Sequence, residues 1–209
     1  MPQPSRIPRL AVFLFYAGMA LVALGWGWLR GEPGVLFVGE ARIVARWLPE
    51  APWRPWVEGI LLGTLVATAA ALVSRLMHAY FRWARVLARE LAIRLGPLTL
   101  LDVAYLALLS GVAEEMLFRG ALQPQVGYVL ASLVFGFVHL LPDRRFLPWT
   151  ASALLMGFVL GGLLELTGNI IAPITAHMLV NFLNLLQIRR VGPLFGVTPE
   201  GAEDEEGTE

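Results

Sequence analysis

The sequence predicts an all-α polytopic membrane protein, with about six transmembrane helices plus a basic amphipathic helix at the interface. Three observations predict it. Of the 209 residues, 57% are hydrophobic and only 15% are charged, against about 25% charged in soluble domains. Mean hydropathy is +0.66. The apolar residues gather into runs approaching the roughly 20 residues that a helix needs to cross about 30 Å of hydrocarbon. Such a chain has too little polar surface to wet its outside, which excludes a soluble globular domain, and no nucleic-acid partner is expected.

A formal charge of zero conceals a division along the chain. Glu200, Glu203, Asp204, Glu205, Glu206 and Glu209 crowd the last ten positions, so the body sets 16 Arg against ten acids. A basic body suits anionic head groups, and membrane lipids are expected partners. The chain has no Cys, which excludes disulfides, thiolate metal sites and a cysteine nucleophile.

The elements follow in order. Leu10 to Leu29 is a run flanked by Arg6, Arg9 and Arg30. It is long for a signal-peptide core, and Trp26-Gly27-Trp28 stands where a cleavage site would need small residues. It is therefore expected to be an uncleaved first span. Residues 30–56 form a Pro-rich loop with Trp47, Trp53 and Trp56 as interface anchors. The second span covers 57–74, rich in small residues that let helices approach. From Arg75 to Arg94, Arg alternates with apolar residues, the pattern of a helix lying on the membrane surface. After Gly96-Pro97 a third span runs from Leu98 toward Pro124, and a fourth covers 126–141. A fifth covers 147–164 and a sixth 170–188, stopped by Arg189-Arg190.

Three regions result: 1–97, two spans with the amphipathic connection; 98–190, the core that carries the chemistry; and 191–209, an acidic tail expected to be disordered. Eleven Arg fall on the side of the termini and five on the other. The positive-inside rule then places both termini in the cytoplasm, and a prokaryotic cell membrane is the expected location.

Ionisable residues inside spans are costly, about 2.5–3.5 kcal/mol each on insertion scales, and mark function by default. Glu114, Glu115 and Arg119 fall inside the third span. Successive helix positions lie 100° apart, so the two carboxylates cannot face one water together. Glu115 and Arg119 are i, i+4 with the acid first, the favourable order for a pair, which leaves Glu114 unpaired. Phe135 and His139 are i, i+4 on the fourth span, and His177 and Asn181 are i, i+4 on the sixth. Alone, the ion pair or either histidine fits a structural role. Together with an unpaired Glu they suggest chemistry.

In that chemistry Glu114 removes a proton from water, His139 orients the water, and His177 with Asn181 donates to a developing oxyanion. This is equipment for hydrolysing an amide or ester, and no cofactor is required. The same Glu114, His139 and His177 also match the His, His, Glu set of catalytic zinc sites. Zinc would leave no separate base, and the chain has no HExxH helix, so the metal-free reading is favoured. Straight helices with these boundaries set Glu114 and His139 at depths differing by about 10 Å, a conflict that either tilted helices broken at Gly111 and Gly127 or different helix boundaries would relieve.

Glu114-Glu115-Met116-Leu117-Phe118-Arg119-Gly120, Phe135-Gly136-Phe137-Val138-His139 and His177-Met178-Leu179-Val180-Asn181 resemble the EExxxR, FxxxH and HxxxN motifs of the CPBP or Abi intramembrane proteases. That group includes the type II CAAX prenyl endopeptidase and bacteriocin-processing and self-immunity proteins. The approach Thr167-Gly168-Asn169-Ile170-Ile171-Ala172-Pro173 is also similar. The resemblance covers residues 98–188 and implies an all-helical endopeptidase. In it Glu114 activates water, His139, His177 and Asn181 complete the site, and Glu115, Arg119 and Phe135 support it. Its substrate is a peptide or a membrane protein, as in CAAX-like or bacteriocin processing. Two alternatives carry the same residues: a non-catalytic scaffold or immunity protein of this fold, and a proton-coupled transporter. Oligomeric state is open.

Overall fold

The computed structural model describes residues 7–31 and 50–197. Arg6, the loop anchor Trp47 and the acidic residues of the tail lie outside them. The described residues build α1 (Arg9–Leu29), α2 (Arg54–Tyr80), α3 (Arg82–Leu95) and α4 (Leu100–Glu115). A π-helical segment (Met116–Leu122) leads into α5 (Gln123–Val126), followed by α6 (Tyr128–Val138), α7 (Leu147–Thr167) and α8 (Ile171–Val191). No β-strand occurs among the described residues.

Four of these helical stretches are long and apolar enough to cross a membrane, those built on α1, α2, α7 and α8, or five if the bent pair formed by α3 and Leu100–Val126 counts as one span. This is an integral membrane protein. The expected third span is present as a continuous helical run, but it carries Asp102, Glu114, Glu115 and Arg119. The expected fourth span is shorter than read: α6 has 11 residues, about 16 Å at 1.5 Å per residue, because Gly127 (φ +84°) starts it late and His139 already leaves the helix.

Two further boundaries differ. The helix expected to lie on the surface begins at Arg82 rather than Arg75, since nothing interrupts α2 before Phe81, which is extended. Its inner stripe is Ala84, Ala88 and Ala92, and the chain turns by 99° from α3 into α4. At the other end the tail does not begin at residue 191. Gly192–Phe195 forms a short 3-10 turn, and the Val197 amide donates back to the Gly192 carbonyl at 3.1 Å.

Small residues set the helix packing. Gly59, Gly63, Ala67 and Ala71 recur every four positions and form the buried face of α2, which packs extensively against α8. A Cβ added at Gly63 would stand 2.5 Å from the Ala172 carbonyl oxygen. Without a hydrophobic drive between helices in lipid, such close backbone approach is how they associate. α8 is the central element, touching α2, α3, α4 and α7. Its start is fixed by Asn169, whose side chain accepts from the Ile171 amide at 2.9 Å and donates to the Pro55 carbonyl at 2.5 Å. α4 opens with a Thr99–Asp102 capping box, an arrangement that satisfies two otherwise orphan amides.

Gly111 lies mid-helix, where α4 crosses α8, and does not break the helix. A Cβ there would sit 2.9 Å from Met178 N, Cα and Cβ. Gly111→Leu should therefore force the helices apart, with a loss of about 1–3 kcal/mol or more. Thermal unfolding in detergent checks this, and an unchanged midpoint would show that α8 yields freely.

Candidate active site

The predicted 10 Å difference in depth is absent: His139 Nε2 stands 3.7 Å from Glu114 Oε2. The late start and early end of α6 bring its C-terminus, and His139 with it, level with the end of α4. The expected helix boundaries are at fault, since α6 begins only after Gly127 and ends before His139, while Gly111 breaks nothing and allows α8 to lie close.

Glu114, Glu115, Arg119, Phe135 and His177 are all buried, and His139 and Asn181 are partly so. Glu115, fully buried, accepts on Oε1 from Arg119 Nη1 at 3.1 Å and from His177 Nδ1 at 2.7 Å. Arg119 also donates through Nη2 to the Gly157 carbonyl of α7 at 3.0 Å. The ion pair thus spends its hydrogen bonds on fixing α4, α7 and His177, and Glu114 stands apart from it. Phe135 is the hub of the site. The Arg119 guanidinium lies 4.3 Å over its ring, and the His139 and His177 rings stand 4.7 and 5.8 Å from it.

Each histidine spends Nδ1 on a partner, His139 on the Phe135 carbonyl at 2.7 Å and His177 on Glu115. The second nitrogen of each faces Glu114 Oε2, at 3.7 Å for His139 and 3.9 Å for His177. With Nδ1 as the donor, a neutral imidazole is an acceptor at Nε2. Glu114 Oε2 is buried and makes no hydrogen bond. Three acceptors therefore converge at separations too long for direct hydrogen bonds between them.

Asn181 does not reach this group directly. Its Nδ2 donates to Ser110 Oγ at 2.9 Å, which leaves a second amide hydrogen free to donate elsewhere.

The zinc alternative draws on the same three side chains, Glu114, His139 and His177. Among the described residues no group of three His, Asp or Glu side chains is arranged to hold a metal ion. Zinc held at about 2.0–2.2 Å sets its ligand atoms roughly 3.3–3.6 Å apart in a tetrahedral site, a little less than the 3.7 and 3.9 Å that separate each imidazole Nε2 from Glu114 Oε2.

Three neighbours escape sequence reasoning. Ser110 precedes Glu114 by one turn on the same face, so helical spacing does carry a signal for it. Trp149, at the start of α7, meets the His139 ring edge to face at 5.4 Å. Tyr16 comes from α1, the helix packed alongside α4, and its hydroxyl interacts electrostatically with Glu114. Nothing local marks either aromatic residue.

The turn after His139 is pinned from outside. Thr150 Oγ1 donates to the His139 carbonyl at 3.1 Å, and Arg145 bridges Asp143 and Glu90 of α3, at 2.8 and 2.7 Å. Hydrogen bonds from the Arg145 side chain and backbone hold the Asp143 carboxyl down at about 2, so the clasp stays charged throughout the physiological range.

Residues 96–183 match the family model described as type II CAAX prenyl endopeptidase Rce1-like, which bears out the resemblance carried by the three motifs. The chain is also 39% identical over 89 residues to YpbD of Bacillus subtilis (strain 168), described as an uncharacterized protein. That match covers 42% of this chain and 46% of YpbD, so the chain spans less than half the length of this relative. No solved structure matches.

Proposed function

Since residues 96–183 are an Rce1-like segment, we propose that the chain is a CAAX-type intramembrane endopeptidase in which Glu114 activates water. The observation that carries this reading is the convergence of Glu114 Oε2, His139 Nε2 and His177 Nε2 on one buried gap. A water there has two protons to give to three acceptors, so its lone pairs remain available to a substrate carbonyl. Oxygen attacks the carbonyl carbon as Glu114 takes the proton. The tetrahedral oxyanion accepts the spare Asn181 N–H, and His177, whose Nδ1 donates to Glu115, holds the water as an acceptor in place of the oxyanion role expected for it. When the C–N bond breaks, the proton on Glu114 passes to the leaving amine.

In this reading the reaction is metal-free, the substrate is a peptide or membrane-protein segment near the bilayer, and both termini face the cytoplasm of a prokaryotic cell. The Arg distribution supports the orientation.

The test is mass spectrometry of a peptide panel, with and without a prenyl chain, incubated with the purified chain. Products are expected, and their rate should be unchanged by a strong chelator. Loss of activity in chelator, restored by zinc, would replace the metal-free mechanism. Absence of products across the panel would favour the non-catalytic scaffold.

A further inference from the structure

We propose that Arg189 and Arg190 hold the phosphate of an anionic phospholipid head group, in a hollow where the end of α8 meets the turn between α3 and α4. Both arginines lie outside the segment that matches the family, and the site is independent of hydrolysis at Glu114.

Three stretches of chain close around this hollow, which has a volume of about 200 Å³. Gly96, Pro97 and Leu98 form one wall, where Gly96 takes φ +69° as the chain turns from α3 into α4. The last turn of α8 brings Arg189 and Arg190. Pro193 and Val197 complete it, because the Val197 amide donates to the Gly192 carbonyl and folds the chain back. Pockets for whole organic ligands hold roughly 300–1,000 Å³, so this one suits a single small group. No acidic residue lines it.

The two arginines select the charge of the occupant. Arg189 Nε donates to the Leu98 carbonyl at 3.0 Å, which ties α8 to the start of α4 and fixes the plane of the guanidinium. Its two terminal nitrogens remain, and neither Arg189 nor Arg190 meets a carboxylate among the described residues. By contrast, Arg9, Arg94 and Arg145 are each paired with an acid, Asp102, Asp143 and Glu90. A rigid fork with two adjacent donors matches two oxygens of a phosphate.

The surroundings select a lipid over a soluble anion. Leu100 and Leu101, just beyond Leu98, and Leu194, beside Pro193, are 55%, 63% and 77% exposed. Acyl chains would cover this apolar rim, for which an acidic peptide has no use. α8 is long and apolar enough to cross a membrane, and its basic last turn stands where anionic head groups gather. A lipid bound there braces α8 against the start of α4, the helices that carry His177 and Glu114.

The experiment follows thermal unfolding of the full chain in dodecyl maltoside micelles with added phosphatidylglycerol, phosphatidylcholine or inorganic phosphate. A ligand that binds only the folded state raises the melting temperature with its concentration. Phosphatidylglycerol should do so, and the other two should not. Arg190→Gln, which gives up no bond among the described residues, should raise the half-saturating phosphatidylglycerol concentration about threefold or more. Arg189→Gln with Arg190→Gln should raise it about tenfold or more, the scale of a hydrogen bond to a charged group. Arg75→Gln with Arg82→Gln removes two exposed arginines of α2 and α3 and should leave it within about twofold. If the double variant does not fold, Arg190→Gln decides, and a wild-type response from it overturns the site. Equal losses from the two pairs would reduce the effect to a diffuse attraction and overturn it too, as would equal stabilisation by phosphatidylcholine or inorganic phosphate. Stabilisation that appears only after the six acids of residues 200–209 are replaced by their amides would give the hollow to the acidic tail instead.

Discussion

Glu114→Gln is expected to reduce peptide cleavage by about 10²- to 10⁴-fold, the usual contribution of a positioned general base, while the protein still folds. The substitution preserves shape and replaces a carboxylate that takes no part in the buried ion pair, so no partner is stranded. An amide is also easier to bury than a charged carboxylate, and the melting temperature should hold or rise. Rates from mass spectrometry and thermal unfolding of the same preparation give both halves of the result. Full activity in this variant would remove Glu114 from the chemistry and leave the acidic residue without a reason to be there.

Arg119→Ala should act in the opposite way, on the fold before the chemistry. The guanidinium is 1% exposed, and its partner Glu115 is fully buried. Removing one member of such a pair leaves an uncompensated charge, at a cost of about 3–5 kcal/mol. The bond to the Gly157 carbonyl and the stacking over Phe135 go with it. Much of the stability of an ordinary domain, roughly 5–15 kcal/mol, would be lost. Thermal unfolding should show a sharply lowered midpoint, or no folded protein should survive purification. Neutralising the stranded carboxylate in the double variant Glu115→Gln with Arg119→Met should recover part of the loss. If Arg119→Ala melted like the wild type, the buried pair would contribute nothing to the fold.

The contrast between these two residues is legible in the sequence. Spacing alone pairs Glu115 with Arg119 and isolates Glu114, because helical geometry is local and the chain between them is unbroken. The same applies to the histidines at i, i+4 from Phe135 and Asn181. Depth was not legible. Reading α6 as a full-length span depended on where helices begin and end, and apolar composition continues through Gly127 and past His139 without marking either boundary. Nor does an apolar run disclose a π-helical turn within it. Tyr16 was hidden for a different reason: its partner is 98 positions away, and a tyrosine among Phe13, Phe15 and Ala17 looks like any lipid-facing aromatic residue. Ser110 could have been found, since it shares a face with Glu114.

The π-helical turn also keeps two polar side chains in phase. In an unbroken α-helix, residues 115, 119 and 123 would drift by 80° around the axis, and the last of them would swing off the line of the first. The wider turn at Met116–Leu122 unwinds that drift. Arg119 and Gln123 consequently meet α7 like two teeth on a rack, donating to the carbonyls of Gly157 and Gly161 at 3.0 and 3.1 Å. Those carbonyls are themselves four residues apart. The sliding of α7 along this helix is thereby indexed, and the only neighbouring positions that would mesh again lie a full turn away. Trp149 and Thr150 of α7 hold the His139 ring and carbonyl from the side, so a slip would displace the gap around Glu114 by several ångströms at once rather than by degrees.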